Sequence, residues 1–288
     1  MTTQEAEGER LYNARLAVPQ WRQVFERWAH ESAAVRASAK ARLDLRCGPR
    51  RMQTLDLFLP AGRPRGTLIY IHGGYWRSLD KSDASIVAPP FTEAGYAVAV
   101  LNYALCPEVG VGAIVEQVRE AAAWLRTHSQ EWDAPAQPLF ACGHSAGGHL
   151  AAMLLATDWP AWRAGLPAQL VTGAVCISAL YDLRPLLHVP SVMAATRFTQ
   201  DSARALSPAL MTPPTPAPLL TATGSAENAG FHAQARTIQD RWHAVHAGHI
   251  TCVGNDHFSI LDELTRSDGA IAVAALDLMQ SCEIASSR

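Results

Sequence analysis

The chain of 288 residues has no C-x-x-C pair, no internal repeat, no apolar run long enough to cross a bilayer and almost no net charge. Each absence removes a class of function. The six cysteines (Cys47, Cys106, Cys142, Cys176, Cys252 and Cys282) are scattered, so they read as reduced, mostly buried thiols rather than a disulfide framework or zinc site. A transmembrane helix needs about 20 consecutive apolar residues, and none is present to predict one. The formal net charge of −2 offers no electrostatic footprint for nucleic acid or an anionic membrane. The polar, acidic start from Met1 to Arg10 lacks the apolar stretch of a secretory leader, and the expectation is a cytoplasmic protein. Metal-ligand spacings are missing too, so neither a metal nor another cofactor is expected.

What is present is a chain that is 49% hydrophobic and 17% charged, enough to bury the core of one large α/β domain. Short apolar runs alternate with amphipathic stretches. Thr67–Ile71, Tyr96–Leu101, Pro138–Cys142, Val171–Leu180, Leu219–Ala222 and His249–Val253 read as strands. Between or after them, Ala84–Ala94 (broken near Pro89-Pro90), the face Ile114, Val118, Ala121 and Leu125, the run after Gly147, Phe231–His243 and Ala270–Met279 read as helices. Such alternation implies a mostly parallel sheet covered on both faces, with its site at the C-terminal strand ends. Ahead of it, Leu43–Leu45 and Leu55–Leu59 alternate as two antiparallel strands about the Gly48-Pro49 turn. Trp21, Phe25 and Trp28 form the stripe of a helix starting near Pro19, either packed on the main domain or roofing a pocket. The expected organisation is a single domain over 1–288, with a mainly helical extension over 1–45 and a cap-like insertion over 183–218.

Gly143-His144-Ser145-Ala146-Gly147 sits where a buried strand turns into a helix. A glycine-bracketed serine there reads as a nucleophile elbow, a turn so sharp that only glycine fits beside the serine. Serine needs a base within hydrogen-bond reach, and in this arrangement the chain order is serine, acid, histidine. His257 follows the last predicted strand and is the candidate base. His144 is fixed inside the elbow and His149 lies along the next helix, so neither is expected to face the Ser145 hydroxyl. Glu227, in the loop after Leu219–Ala222, is favoured as the acid that orients the imidazole, with Asp182 as its rival and Asp256 discounted as an adjacent residue. His72-Gly73-Gly74 follows a buried strand, and the N–H groups of Gly73, Gly74 and Ala146 are candidates for an oxyanion hole.

His72-Gly73-Gly74-Tyr75-Trp76 together with Gly143-His144-Ser145-Ala146-Gly147-Gly148-His149-Leu150 resembles the α/β-hydrolase kynurenine formamidases, or arylformamidases. Asn102-Tyr103, Cys106-Pro107, Tyr181-Asp182-Leu183, Glu227 with Phe231, and Asp256-His257-Phe258 extend the resemblance over nearly the whole chain. In that family the acid is often aspartate, and the matching position here is Glu227. The match around Tyr181-Asp182-Leu183 implies a structural use for Asp182. The resemblance implies hydrolysis of N-formylkynurenine to kynurenine and formate through a formyl-enzyme on Ser145. A carboxylesterase acting on small aryl or alkyl esters with the same machinery is the alternative. Tyr75, Trp76 and Phe231 are candidates to line an aryl pocket. The expected partner is a small acylated arylamine or ester, with no nucleic acid and no membrane, and a homodimer stays open.

Overall fold

The computed structural model describes residues 1–136 and 138–286. Among them eight strands form one sheet: β1 (Ala41–Arg46), β2 (Thr54–Phe58), β3 (Thr67–Ile71), β4 (Ala97–Leu101), β5 (Leu139–His144), β6 (Gly173–Ile177), β7 (Leu219–Gly224) and β8 (His246–Cys252). Their order across the sheet is β1-β2-β4-β3-β5-β6-β7-β8. β1 and β2 run antiparallel, β2 pairs antiparallel with β4, and every later pairing is parallel. The mostly parallel sheet expected from the alternation of apolar runs is present, in the α/β-hydrolase fold that the resemblance implies.

Burial explains which strands are obvious from sequence. Every residue of β3, β4, β5 and β6 is buried, as a parallel sheet sandwiched by helices requires. β8 at one edge alternates half-buried and exposed, so it carries a one-faced pattern. Helix Ala146–Leu155 packs on β3, β5 and β6 and touches helix Val111–His128, while helix Ala270–Ser286 packs on β6, β7 and β8 and touches the short helix Ala88–Glu93.

Several boundaries differ from the sequence reading. Pro89 and Pro90 occupy the first turn of helix Ala88–Glu93 and so begin it rather than break it; proline's missing N–H costs nothing there. The run Val171–Leu180 yields a strand only from Gly173 to Ile177, because Ser178 turns out of it with φ +49°. The last strand starts at His246, and the helix after β7 spans Ala229–Arg241. Between β6 and β7 the chain folds into short helical turns at Arg184–His188, Pro190–Thr196, Gln200–Ala205 and Pro208–Leu210.

The N-terminal segment forms helices Thr3–Tyr12, Ala14–Ala17 and Trp21–Ser38 before β1. A capping box opens the first, with the Thr2 hydroxyl accepting from the Glu5 N–H and the Glu5 carboxylate accepting from the Thr2 N–H. The third is bolted to the sheet by charge: Arg36 pairs with Asp56 of β2, and Lys81 Nζ donates to the same carboxylate at 2.8 Å. Its Phe25 and Trp28 rings stack 5.1 Å apart and pack edge-on against Phe258. These contacts bring the helix over the C-terminal ends of the parallel strands.

Candidate active site

Ser145 follows β5 directly and caps helix Ala146–Leu155 with φ 55° and ψ −118°, a left-handed backbone that is costly for a residue with a Cβ. Its surroundings hold it there. The Ser145 N–H donates to the Ile177 carbonyl at 2.8 Å, and its own carbonyl accepts from the His149 N–H at 3.1 Å. A Cβ on Gly143 would collide with the Gly147 carbonyl, and one on Gly147 with the Ile71 carbonyl. The two flanking glycines are therefore demanded by close backbone approach.

The Ser145 hydroxyl lies 3.0 Å from His257 Nε2, and His257 Nδ1 lies 2.9 Å from Glu227 Oε2. The geometry has a single consistent proton assignment: Ser145 Oγ–H donates to Nε2, and Nδ1–H donates to the carboxylate. Ser145 and His257 are only 2% and 3% exposed, and the Glu227 side chain is fully enclosed. The other Glu227 oxygen, Oε1, accepts from the Ser178 hydroxyl and the Gly224 N–H, each at 2.6 Å. A buried carboxylate held by three donors is fixed in place.

Asp182 is elsewhere. Its carboxylate accepts from the Arg184 backbone and guanidinium, which ties the start of the helical turns after β6. Asp256 accepts from the N–H groups of Phe258 and Ser259, and so shapes the loop that carries His257. The sequence reading discounted it for the divergence seen here.

Gly73 and Gly74 follow β3 beside the elbow. Gly74 has φ +98°, and a Cβ on Gly73 would stand 2.9 Å from the His144 carbonyl and 3.3 Å from Ser145 Cβ. The loop is pinned from below: His72 Nδ1 lies 2.9 Å from the Gly73 carbonyl, and the Tyr103 hydroxyl donates to the His72 carbonyl at 2.8 Å. Ala146 is the first residue of its helix, where the N–H has no intrahelical acceptor.

A narrow cleft lies over Ser145 and His257. Phe25, Trp28, Tyr75 and Phe258 supply its aromatic walls, and Asn13, Arg15, Arg77 and Ser191 its polar ones. The stripe of the N-terminal helix thus roofs the site. Of the three predicted pocket residues only Tyr75 lines the cleft, with its hydroxyl bonded to the Tyr12 carbonyl. Trp76 is wholly buried among His149 and Phe198. Phe231 is buried too, its ring 4.1 Å from the His257 imidazole, which it backs from behind. Both are large apolar groups whose best burial lies under the site rather than in its mouth.

Sequence reasoning missed four contributors. His144 does not face the serine, as expected, yet its Nε2–H donates to the His257 carbonyl at 2.7 Å. Burial, with the neighbouring His257 second, holds the His144 pKa well below the ordinary value, so the ring remains a neutral donor. Ser178 reaches Glu227 only because of its left-handed turn. Arg15 and Arg77 come from segments with no periodicity to mark them, although Arg77 directly follows the Gly-Gly-Tyr-Trp motif.

Known proteins similar to this chain are hydrolases. The family model BD-FAE matches residues 55–159. A kynurenine formamidase of Salmo salar is 27% identical over 254 residues, covering 85% of this chain and 84% of that protein. One of Danio rerio is 33% identical over 168 residues, 55% of each chain. Among solved structures, a thioesterase candidate from Silicibacter sp. superposes with a TM-score of 0.81 at 33% identity, covering 92% of this chain and 97% of that one. With an α/β-hydrolase sheet, an elbow serine and a solved relative 33% identical over 97% of its own length, the chain belongs to the α/β-hydrolases, and kynurenine formamidases are among its relatives.

Proposed function

We propose that this hydrolase cleaves the formamide of N-formylkynurenine to kynurenine and formate, a step of tryptophan degradation, using Ser145, His257 and Glu227 as a triad. The observation that carries the reading is the continuous hydrogen-bonded line from hydroxyl to imidazole to carboxylate, opening into an aromatic-walled cleft. Ser145 Oγ attacks the formyl carbon while its proton passes to His257 Nε2. The carbonyl oxygen becomes an oxyanion held by the N–H groups of Gly73, Gly74 and Ala146, each such donor being worth roughly 10²–10³ in rate. Glu227 stabilises the imidazolium and keeps Nδ1 protonated. His257 then returns the proton to the arylamine nitrogen as the C–N bond breaks, leaving a formyl ester on Ser145. Water, deprotonated by His257, attacks that ester, and formate departs as Ser145 regains its proton.

The aromatic walls suit an aryl leaving group, and two relatives are kynurenine formamidases. The second reading is a carboxylesterase on the same residues, favoured by the solved relative described as a thioesterase candidate. Turnover of N-formylkynurenine and of short aryl esters by the purified protein separates the two. A higher kcat/KM for N-formylkynurenine is expected, and a large preference for the esters overturns the formamidase reading. Fluorophosphonate labelling should be abolished by Ser145→Ala; persistence of both labelling and turnover in that variant removes the triad from the account.

A further inference from the structure

Two cations stand in the wall of the catalytic cleft without an acid to answer them. Arg15 lies with its guanidinium 4.4 Å above the Trp21 ring and 5.5 Å from Phe25, and it donates one hydrogen bond, to the Ser78 hydroxyl at 2.9 Å. Arg77 donates to the Ser191 carbonyl. Among the described residues no carboxylate stands within 4.0 Å of either guanidinium. Glu9, whose side chain meets cleft residues, is already committed: it accepts from Asn13 Nδ2 and from the Ser191 N–H and hydroxyl. Both arginines are half-buried. Desolvation first, then the charges of Arg77 and Arg22, lower the Arg15 pKa from its ordinary value. Two like charges are thus held near one another in a partly dry wall, where an anion relieves both the repulsion and the unfilled donors.

We propose that Arg15 and Arg77 form a carboxylate-binding subsite of the catalytic cleft, which selects acylated arylamines carrying a carboxylate remote from the scissile bond. The proposal rests on the reading of the cleft as the hydrolase site and assigns the residues that hold the acid end of its substrate. An aryl group between Phe25, Trp28, Tyr75 and Phe258 presents its acylated nitrogen to Ser145, while the acid end meets the guanidinium pair lining the same cleft. Arg15 is offered by the N-terminal segment and Arg77 by the loop after the double glycine. Substrate choice therefore depends on a part of the chain outside the sheet.

Calorimetric titration of the full chain tests this without requiring turnover. The probes are desaminokynurenine, which keeps the carboxylate but lacks the α-amino group, and its primary amide, a neutral ketone of the same length. The wild type should bind the carboxylate tighter by roughly 10- to 100-fold, the range of a hydrogen bond to a charged group. Arg15→Gln and Arg77→Gln should each remove about tenfold of that advantage and together abolish it, with the neutral ketone bound within about twofold of wild type. Equal binding of both probes by the wild type, or an advantage surviving in the double variant, overturns the subsite. Should the variants lose the neutral ketone as well, a salt titration of the wild type decides. The carboxylate advantage must then shrink as ionic strength rises, and a flat response overturns the proposal. Failure of the hydrolytic reading registers separately, as no formate released from N-formylkynurenine by a wild type that still prefers the carboxylate probe.

Discussion

Glu227 is held by three donors of different kinds, and this makes its substitution informative. The Ser178 hydroxyl and Gly224 N–H both address Oε1, whereas His257 addresses Oε2. In Glu227→Gln the two fixed donors recruit the amide oxygen, which leaves the amide NH₂ facing His257 Nδ1. A donor there favours the tautomer protonated on Nε2, which no longer accepts the Ser145 proton. We expect kcat to fall roughly 10³–10⁴-fold with little loss of fold stability; a loss below tenfold would remove Glu227 from the acid's role. His144 acts one step further out, since its ring touches the His257 backbone and not the serine. His144→Phe keeps an aromatic ring but leaves the buried His257 carbonyl without its donor, a penalty of about 1–3 kcal/mol. The expected readout is kcat lowered 10- to 100-fold at nearly constant KM, partly restored in His144→Gln, which again offers an N–H. Equal damage in both variants would mark His144 as packing alone.

At the scale of elements, the helix Trp21–Ser38 joins fold to function. One end of its apolar face roofs the cleft through Phe25 and Trp28, and its other end is clamped to β2 through Arg36, Asp56 and Lys81. Asp56 is completely buried, and Lys81 keeps only 5% of its side-chain surface exposed. Asp56→Ala would take the carboxylate from Arg36 and leave the buried Lys81 with only the exposed Asp44. Loss of one member of a buried pair costs about 3–5 kcal/mol, which urea unfolding should register as a lowered midpoint. Asp44 also bonds Lys81, at 2.6 Å, but its side chain is 70% exposed. Asp44→Ala should therefore cost under about 1 kcal/mol. A reversed ranking of the two variants would show that the clamp does not hold this helix.

The whole molecule explains why some of this was readable and some was not. Strands enclosed on both faces must be continuous apolar runs, so Thr67–Ile71 and Leu139–Cys142 announce themselves. Ser145, His257 and Glu227 could be picked out because the sheet returns every loop to one edge in a fixed order. Arg15 and Arg77 meet only through tertiary packing of the N-terminal segment, for which no local pattern exists, and Trp76 and Phe231 look like pocket residues until their depth is known. The same enclosure has a consequence for acid stability. Helix Ala146–Leu155 carries His149 into the core, where its Nε2 donates to the Leu206 carbonyl and ties the helical turns before β7 to the sheet's upper surface. Burial lowers the His149 pKa from 6.5 to about 4, and burial also lowers those of His72 and His144. Between those limits the unfolded chain binds a proton that the folded one refuses, so stability is complete above about pH 6.5 and is lost as pH falls toward 4. His149 alone should account for about 2 kcal/mol of the stability lost between pH 7 and pH 5. His149→Gln keeps a donor for Leu206 and removes the titrating group, so its urea midpoint should fall less steeply over that interval. Parallel pH profiles for the two proteins would mean that His149 is protonated without opening the fold, contrary to its enclosure.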